Sequence, residues 1–222
     1  MLLVARNDAP AFKSEPRDNL VYQFLAEYDF KYISDIGLAA LALIFLSPLL
    51  LIAALAIRLD SKGPAIFKQT RTGLRGFTFE IYKFRTMSVL ENGPSVQQAT
   101  TDDKRVTRIG RWLRRTSIDE LPQLLNVIRG EMSLVGPRPH ALAHDQYYGQ
   151  NIPDYSGRFA VRPGITGWAQ VNGSRGETRT IADMQRRIEL DLWYVRNRSC
   201  TLDFRVLMRT IVLEIAHRGR GC

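Results

Sequence analysis

The longest apolar stretch of the chain runs from Ile36 to Ile57 and contains 22 residues without a charged side chain. An unbroken helix of that length would measure about 33 Å, close to the roughly 30 Å hydrocarbon core of a bilayer. The stretch starts far from Met1, follows an acidic segment and lacks a small-residue cleavage site, which excludes a removable signal peptide. We therefore predict a helix that is embedded in a membrane.

Ser47 and Pro48 lie near the middle of this stretch. A proline removes one backbone hydrogen bond and bends a helix, and the preceding serine can satisfy a backbone group that the bend frees. The two arms, Ile36–Leu46 and Leu49–Ile57, would each measure only about 14–17 Å. A bent segment could enter and leave the same leaflet as a re-entrant helix, and a kinked membrane span fits these residues equally well. A buried helix of a soluble protein fits the length less well.

Basic residues are concentrated after the apolar stretch. Arg17 and Lys31 precede it, whereas five basic residues follow it closely: Arg58, Lys62, Lys68, Arg71 and Arg75. Because positively charged flanks stay on the cytoplasmic side, everything after Ile57 is predicted to be cytoplasmic. We divide the chain into a tail and lead-in helix over residues 1–30, a membrane helix over residues 31–60, and a cytoplasmic catalytic domain over residues 61–222.

The spacing of apolar residues after the membrane helix predicts an α+β fold that is mostly helical with a small β-hairpin. Ile109, Trp112 and Leu113 fall at helical spacing in a very basic segment, which favours an amphipathic helix at the membrane interface over a solvated surface helix. Two later helices, with apolar positions that include Ile211 and Ile215, should pack in the core. The predicted elements are strands Ala65–Gln69 and Phe77–Tyr82, helices Lys104–Arg115 and Leu121–Arg129, loops Gly130–Pro139 and Val161–Gly176, and helices Ile181–Val195 and Leu202–His217.

The charge balance of the chain points to anionic partners. It has 31 basic and 22 acidic residues, and residues 1–35 contain four basic and six acidic side chains, so the formal net charge of +9 becomes +11 on the remainder. We expect a domain with this charge to bind phosphates, anionic lipid or nucleic acid. Neither a helix-turn-helix nor strands with interleaved aromatic residues are recognisable, so we expect no nucleic-acid partner. Two cysteines without a C-x-x-C pair exclude a disulfide framework and disfavour a zinc module.

Two adjacent carboxylates, Asp119 and Glu120, precede Pro122 at the start of a predicted helix. One interpretation is structural, since Ser117 and Glu120 have the spacing of a capping box. The other is chemical, because a helix that begins near Pro122 would place both carboxylates just before its N-terminus, where phosphate also binds. There an ionised aspartate with a neighbouring acid can hold a divalent cation or attack phosphorus. The residues alone favour capping.

Four basic residues lie in segments that suit phosphate binding. Arg138 is fixed between two prolines, Arg162 begins a glycine-rich loop, and Lys83 and Arg85 close the second predicted strand. A rigid guanidinium pairs well with phosphate, and glycines let a backbone approach a ligand closely. Each segment taken alone is also consistent with an ordinary turn, loop or strand end.

These features follow one another in one order: Ser47-Pro48 in an apolar run, Lys83–Met87, Asp119–Gln123, Gly136–Pro139 and Arg162–Gly167. In this order the sequence resembles the bacterial sugar transferase family, the monotopic polyprenyl-phosphate phosphoglycosyl transferases, in its short form. The resemblance extends from about Lys31 to His217, and although each motif is weak, the ordered set is specific. It favours the re-entrant course of the membrane helix, and it favours a chemical role for Asp119 over capping.

The resemblance implies a reaction and its site. A UDP-sugar would give its sugar-1-phosphate to a polyprenyl (undecaprenyl) phosphate and release UMP, which is the first membrane-bound step of exopolysaccharide, capsule or O-antigen assembly. Asp119 would form a covalent aspartyl-phosphosugar intermediate, Glu120 would assist in metal binding or proton handling, and Mg²⁺ would bind both carboxylates. Phosphate contacts would come from four basic side chains: Lys83, Arg85, Arg138 and Arg162.

The same resemblance implies a location at the cytoplasmic face of the bacterial inner membrane, with membrane lipid as a partner and a homodimer as an allowed state. The competing hypothesis is a non-catalytic tether whose basic face binds anionic lipid. The tether hypothesis predicts that Asp119 is dispensable, whereas the enzyme hypothesis requires it. No recognisable motif identifies the sugar.

Overall fold

The computed structural model describes residues 30–88, 103–176, 178 and 180–217. Within them the chain is mostly helical with two small sheets, which confirms the predicted α+β class. The predicted tail and most of the lead-in helix lie outside the described residues. The helices are α1 (Phe30–Asp60), α2 (Arg108–Arg115), α3 (Leu124–Ile128), α4 (Leu142–Asn151), α5 (Trp168–Val171), α6 (Ile181–Asn197) and α7 (Cys200–His217), and the strands are β1 (Ile66–Thr72), β2 (Thr78–Phe84), β3 (Ser133–Val135) and β4 (Gly164–Thr166).

Helix α1 continues without interruption through Pro48. Pro48 has no N–H to offer the carbonyl of Ile44, and the Ser47 hydroxyl donates to that carbonyl instead, at 2.8 Å. The serine therefore satisfies the backbone group that the proline frees, as predicted. The helix is long and apolar enough to cross a membrane, and the bent, re-entrant course stays a prediction.

Both halves of α1 pack against the rest of the described chain. Ala39 is fully buried in a cluster with Ile81, and Ala53 lies in a second cluster with Phe84. Because Ile81 and Phe84 belong to one strand, the helix lies along the folded body instead of projecting from it. Its other face exposes large apolar side chains, a surface that fits lipid contact: Leu38, Leu41, Ile44, Phe45, Leu51, Ile52 and Leu55.

Strands β1 and β2 form the predicted antiparallel hairpin, with Ile66 opposite Phe84 and Thr72 opposite Thr78. The hairpin carries Lys83 near the end of β2 and Arg71 near the end of β1. The hairpin therefore places two cations, one on each strand, against the body of the domain.

A second sheet lies where the sequence predicts only loops. Strands β3 and β4 pair in parallel, and the ladder extends through a hydrogen bond from the Gly164 N–H to the Pro137 carbonyl at 2.9 Å. A side chain at Gly164 would meet the backbone nitrogen of Gly136 at 2.1 Å, so only glycine permits this approach. The prediction of two unpaired loops is therefore wrong, and the ladder fixes the backbone just before Arg138.

Helix α2 starts later than the predicted Lys104. Thr107 caps it by accepting a hydrogen bond from the Gly110 N–H at 3.0 Å, and the helix proper begins at Arg108. It is amphipathic as predicted, with Leu113 fully buried and Trp112 52% exposed. The exposed indole is available to a membrane interface.

The C-terminal helix α7 packs differently from the prediction. Ile211 and Ile215, which were expected in the core, are 52% and 65% exposed, so this prediction is wrong. The buried face runs through Leu202 and Val206 to Thr210, whose hydroxyl lies 2.7 Å from that of Thr166. A polar residue thus continues the inner face, and the outer face carries an apolar stripe: Phe204, Met208, Ile211, Val212 and Ile215.

Candidate active site

Asp119 and Glu120 lie in a 3₁₀ turn, Ile118–Gln123, that precedes α3. This turn takes the place of the first part of the helix predicted from Leu121. Ser117 stands before it in a left-handed backbone conformation, with φ at 54°, and its side chain makes no capping hydrogen bond. The capping-box interpretation is therefore wrong, and both carboxylates are available for other contacts.

Glu120 is held by two cations. Lys83 Nζ donates to Glu120 Oε1 at 2.9 Å, and the Arg138 guanidinium binds both carboxylate oxygens, with Nη1 2.9 Å from Oε2. Burial alone would raise the pKa of Glu120, but the charges of Arg138 and Lys83 outweigh it and hold that pKa well below its usual range. Glu120 is thus an ionised, paired carboxylate, and Lys83, Arg138 and the two acids form one cluster, which we call the catalytic corner.

Asp119 differs from its neighbour. Burial and the negative charge of Glu120 raise the pKa of Asp119 to about 6, although Lys83 and Arg138 partly offset this. Within the described residues, its carboxylate makes no hydrogen bond or ion pair, and the side chain keeps partial exposure. A partly exposed carboxylate with free lone pairs is equipped to act as a nucleophile or a metal ligand.

Two further cations, which the sequence analysis did not select as site residues, lie near the catalytic corner. The positive charge of Arg114 lowers the pKa of Asp119, and Arg114 Nε donates to Thr86 Oγ1 at 2.9 Å. Arg71 lies close enough to Arg138 that burial and this second charge lower the pKa of Arg71 to about 10. Helical spacing could have found Arg114, because it lies four residues after the buried Gly110 on the inner face of α2.

Arg85 does not join the catalytic corner. It is 3% exposed, and its guanidinium donates to backbone carbonyls at the end of α1, with distances of 2.8 Å to Ser61 and 3.3 Å to Gly63. It therefore caps the C-terminus of α1. These contacts give no support to the phosphate role that the sequence predicts for Arg85.

Arg162 also has structural partners. Its Nε donates to the Gly130 carbonyl at 2.9 Å, and its guanidinium lies over the Tyr32 ring, 4.5 Å from the centroid. Both contacts tie the segment before β4 to α1 and to the turn after α3. The structure thus brings Lys83 and Arg138 together with the carboxylates and directs Arg85 and Arg162 to the ends of α1.

Two guanidiniums bind the backbone of the loop that carries Arg138. Arg158 donates from Nη2 to the Arg138 carbonyl, and Arg71 donates from Nη1 to the Pro139 carbonyl at 3.3 Å. Arg158 is 2% exposed and belongs to a cluster that we call the buried network: His140, Asp145, Tyr155, Arg158 and Asp191. The network fixes the backbone of Arg138 while the side chain of Arg138 faces Glu120.

The carboxylate pair suits a Mg²⁺ ion that takes few ligands from the protein. Among the residues that the structure describes, no group of three or more His, Cys, Asp or Glu side chains forms a metal cage. Mg²⁺ often takes only one or two carboxylates from a protein and completes its shell with substrate phosphates and water. Both oxygens of Glu120 already accept hydrogen bonds from Lys83 or Arg138, so Asp119 is the carboxylate with lone pairs to offer.

The order of the motifs and the geometry of the corner agree with a match to a known family. The chain belongs to the bacterial sugar transferase family, whose family model matches residues 26–217. This confirms the resemblance predicted from the sequence, and with it the transferase class of the protein.

Individual relatives are about 50% identical to this chain over the residues that align. A UDP-glucose:undecaprenyl-phosphate glucose-1-phosphate transferase of Caulobacter vibrioides is 56% identical over 181 residues, which is 82% of this chain and 68% of that protein. The Escherichia coli K12 protein of the same name is 52% identical over 82% of this chain and 39% of its own length. The exopolysaccharide production protein PSS of Rhizobium leguminosarum is 48% identical over 84% of this chain and 95% of its own length. The chain therefore spans about two fifths of the E. coli relative and nearly all of the Rhizobium relative.

Proposed function

We propose that this protein transfers sugar-1-phosphate from a UDP-sugar to polyprenyl (undecaprenyl) phosphate through a covalent intermediate on Asp119, and that it releases UMP. The asymmetry of the carboxylate pair carries the proposal. Glu120 is held by Lys83 and Arg138, whereas Asp119 has a raised pKa and no partner among the described residues. An unpaired carboxylate among cations suits attack on a phosphorus whose charge those cations neutralise. The substrates in the names of the relatives support the same substrate classes here.

In the first displacement, an oxygen of Asp119 attacks the phosphorus that carries the sugar. The bond from that phosphorus to the bridging oxygen breaks, and UMP leaves with the oxygen and its electron pair. The charges of Lys83, Arg114 and Arg138 would offset the negative charge on the phosphoryl oxygens. Because the pKa of Asp119 is about 6, its carboxylate is mostly ionised at neutral pH, and we expect activity to fall below pH 6.

In the second displacement, a phosphate oxygen of the lipid attacks the same phosphorus, and the bond to Asp119 breaks. The product is a lipid diphosphate sugar, and the free carboxylate is regenerated. Two steps let a water-soluble donor and a lipid acceptor use one small site in turn. Mg²⁺, if held by the free lone pairs of Asp119 beside the paired Glu120, would supply further neutralisation of the diphosphate.

We infer that the site faces the cytoplasm at the inner membrane and that α1 is re-entrant. The packing of both halves of α1 on one folded body supports this, because a helix that spans the bilayer would carry one half away from that body. Tags at residues 1 and 222 should then both be accessible from the cytoplasm. Tags on opposite sides of the membrane would mean that α1 spans it.

UDP-glucose is the first donor to test. Relatives that are 50–56% identical carry UDP-glucose or glucose in their names. A relative that is 43% identical is named for UDP-N-acetylgalactosamine instead, so a panel of both sugars is needed.

The decisive experiment treats the purified protein in nanodiscs with UDP-sugar and Mg²⁺ while the lipid acceptor is withheld. We expect UMP to be released as one sugar-phosphate adduct forms on Asp119, which mass spectrometry should find, and addition of polyprenyl phosphate should then discharge the adduct as lipid diphosphate sugar. Asp119→Asn should lose turnover by at least about 10⁴-fold, while the exposed Asp154→Asn serves as a matched control.

Three outcomes would contradict the proposal. Turnover retained by Asp119→Asn would remove the nucleophile. Release of UDP in place of UMP would mean that the sugar is transferred without its phosphate. Membrane binding without any turnover in the wild-type protein would favour the non-catalytic tether.

A further inference from the structure

Ser117, two residues before Asp119, is the meeting point of three distant segments. Its hydroxyl donates to Glu214 Oε2 at 3.0 Å and accepts from Arg175 Nη2 at 2.8 Å. Arg175 also pairs with Glu214 through Nη1 and Oε1. Arg175 follows α5 by a short segment and Glu214 belongs to the last turn of α7, so contacts far apart in the chain converge on the start of the catalytic turn.

The backbone of Ser117 needs such support. Its φ of 54° and ψ of 16° are left-handed, a conformation that costs energy for any residue with a side chain other than Asn or Asp. Strained residues of this kind persist only where the surroundings hold them. The left-handed residue lies between the end of α2 and the 3₁₀ turn, so its backbone conformation helps to set the orientation of the turn that carries Asp119.

We propose that Ser117, Arg175 and Glu214 form a polar clamp that fixes the catalytic turn and thereby positions the carboxylate of Asp119 for attack on phosphorus. The inference rests on the proposed role of Asp119, and all three are positioning residues. Arg175 and Glu214 have side chains that are 45% and 26% exposed. Exposed ion pairs add little to folding stability, so the effect of this clamp should appear in the rate of the chemical step.

The first test compares Ser117→Ala with Ser117→Gly. Both remove the hydroxyl, but glycine also relieves the left-handed strain. If the clamp positions Asp119, both variants should lose about tenfold or more in kcat, with KM for the UDP-sugar and the melting temperature nearly unchanged. Wild-type kcat in Ser117→Gly would overturn the proposal, because then only the backbone conformation would matter.

The second test reverses the ion pair. Arg175→Glu and Glu214→Arg should each lower kcat, and the double variant should recover most of the loss. The reason is that the Ser117 hydroxyl can donate to a carboxylate and accept from a guanidinium, whichever of the two positions carries each group. Arg186→Glu, an exposed charge reversal on α6, is the matched control. A double variant no better than the weaker single variant would contradict the clamp.

A third measurement does not depend on turnover. Hydrogen exchange of the amides of Glu120, Leu121, Gln123 and Leu124 should quicken in Ser117→Ala relative to the wild-type protein, because the turn opens more often without the clamp. Unchanged exchange would overturn the clamp even if the wild-type protein proved inactive. Faster exchange in the variant with no UMP release from the wild type would instead refute only the proposed function.

Discussion

The catalytic corner and the buried network each contain an aspartate whose pKa is raised to about 6, and in each the first cause is burial. Asp191 is 2% exposed and accepts a hydrogen bond from Arg158 at 2.9 Å. Asp119 stays partly exposed and has no partner among the described residues. The same pKa shift therefore accompanies a structural ion pair in one region and an open carboxylate in the other. The lack of a partner among the described residues, and not the pKa shift, marks Asp119 as the candidate catalytic group.

The two regions are linked through one residue. The buried network holds the backbone carbonyl of Arg138 through Arg158, and the catalytic corner uses the side chain of Arg138 to bind Glu120. A buried network of hydrogen-bonded polar side chains thus supports an open site. The comparison predicts that changes in the first region act mainly on stability and that changes in the second act mainly on rate.

The largest effect should follow from Asp191→Asn. Removal of this charge leaves the Arg158 guanidinium with only the longer contact to Asp145, at 3.9 Å, as an ionic partner in the interior, which should lower the free energy of unfolding by about 3–5 kcal/mol. Chemical denaturation at pH 7.5 would measure the loss, with Asp154→Asn as the exposed control. A variant as stable as the wild-type protein would mean that the network is not a closed ion pair.

Arg138→Lys should impair the catalytic corner, with a smaller change in free energy than Asp191→Asn causes. A lysine ammonium cannot bind both oxygens of Glu120 or present a planar fork to phosphate. We expect kcat/KM for the UDP-sugar to fall about 10²–10³-fold while the melting temperature changes little, and Arg196→Lys on the exposed face of α6 controls for the substitution. A large loss of stability with normal kcat/KM would reverse the assignment of the two regions.

Asp119→Asn should stabilise the protein in a pH-dependent way. The pKa of this carboxyl is about 6 in the folded state against 3.8 ordinarily, so ionising it costs the folded state energy that is absent below pH 4 and fully present above pH 6. The variant should therefore be more stable than the wild type by about 1–3 kcal/mol above pH 6, with no difference below pH 4. A variant that is destabilised at pH 7.5 would show that the carboxylate has a stabilising partner after all.

The smallest effect is expected for Arg85→Lys. A lysine ammonium is a single point and cannot span the carbonyls after α1 that the Arg85 guanidinium reaches from two nitrogens, so stability should fall by about 1 kcal/mol, while KM for the UDP-sugar stays unchanged. Lys83→Met, two residues earlier in the chain, should raise that KM. A raised KM in Arg85→Lys would restore the phosphate role that the sequence predicts for it.

The sequence predicted the elements whose apolar pattern is long or regular. It located α1, the hairpin and the amphipathic α2, and it selected Asp119, Glu120, Lys83 and Arg138, which the fold brings together. Strands β3 and β4 were missed because three-residue strands among glycines and prolines show no alternation. Helix α4 was missed because its sequence LAHDQYYGQN has no apolar stripe.

The misplacement of Arg85 has a local cause. Lys83 and Arg85 are two residues apart and would share one face of a continuous strand. Strand β2 ends at Phe84, and although the Arg85 N–H still donates to the Ala65 carbonyl at 2.8 Å, the side chain of Arg85 binds the backbone carbonyls that follow α1. The buried network was equally hidden, since its charged residues come from α4, α6 and the segment between them and meet only in the folded protein.

The packing of α1 has a practical consequence for handling the protein. Ala39 and Ala53 complete clusters that also contain Val127, Phe84 and Leu113. Cutting the chain after Asp60 would leave those side chains uncovered and would remove the Ile57 carbonyl that lies 3.5 Å from Arg85 Nη2. A water-soluble fragment obtained by truncation should aggregate, and only detergent or lipid that shields the outer face of α1 will keep an intact enzyme in solution.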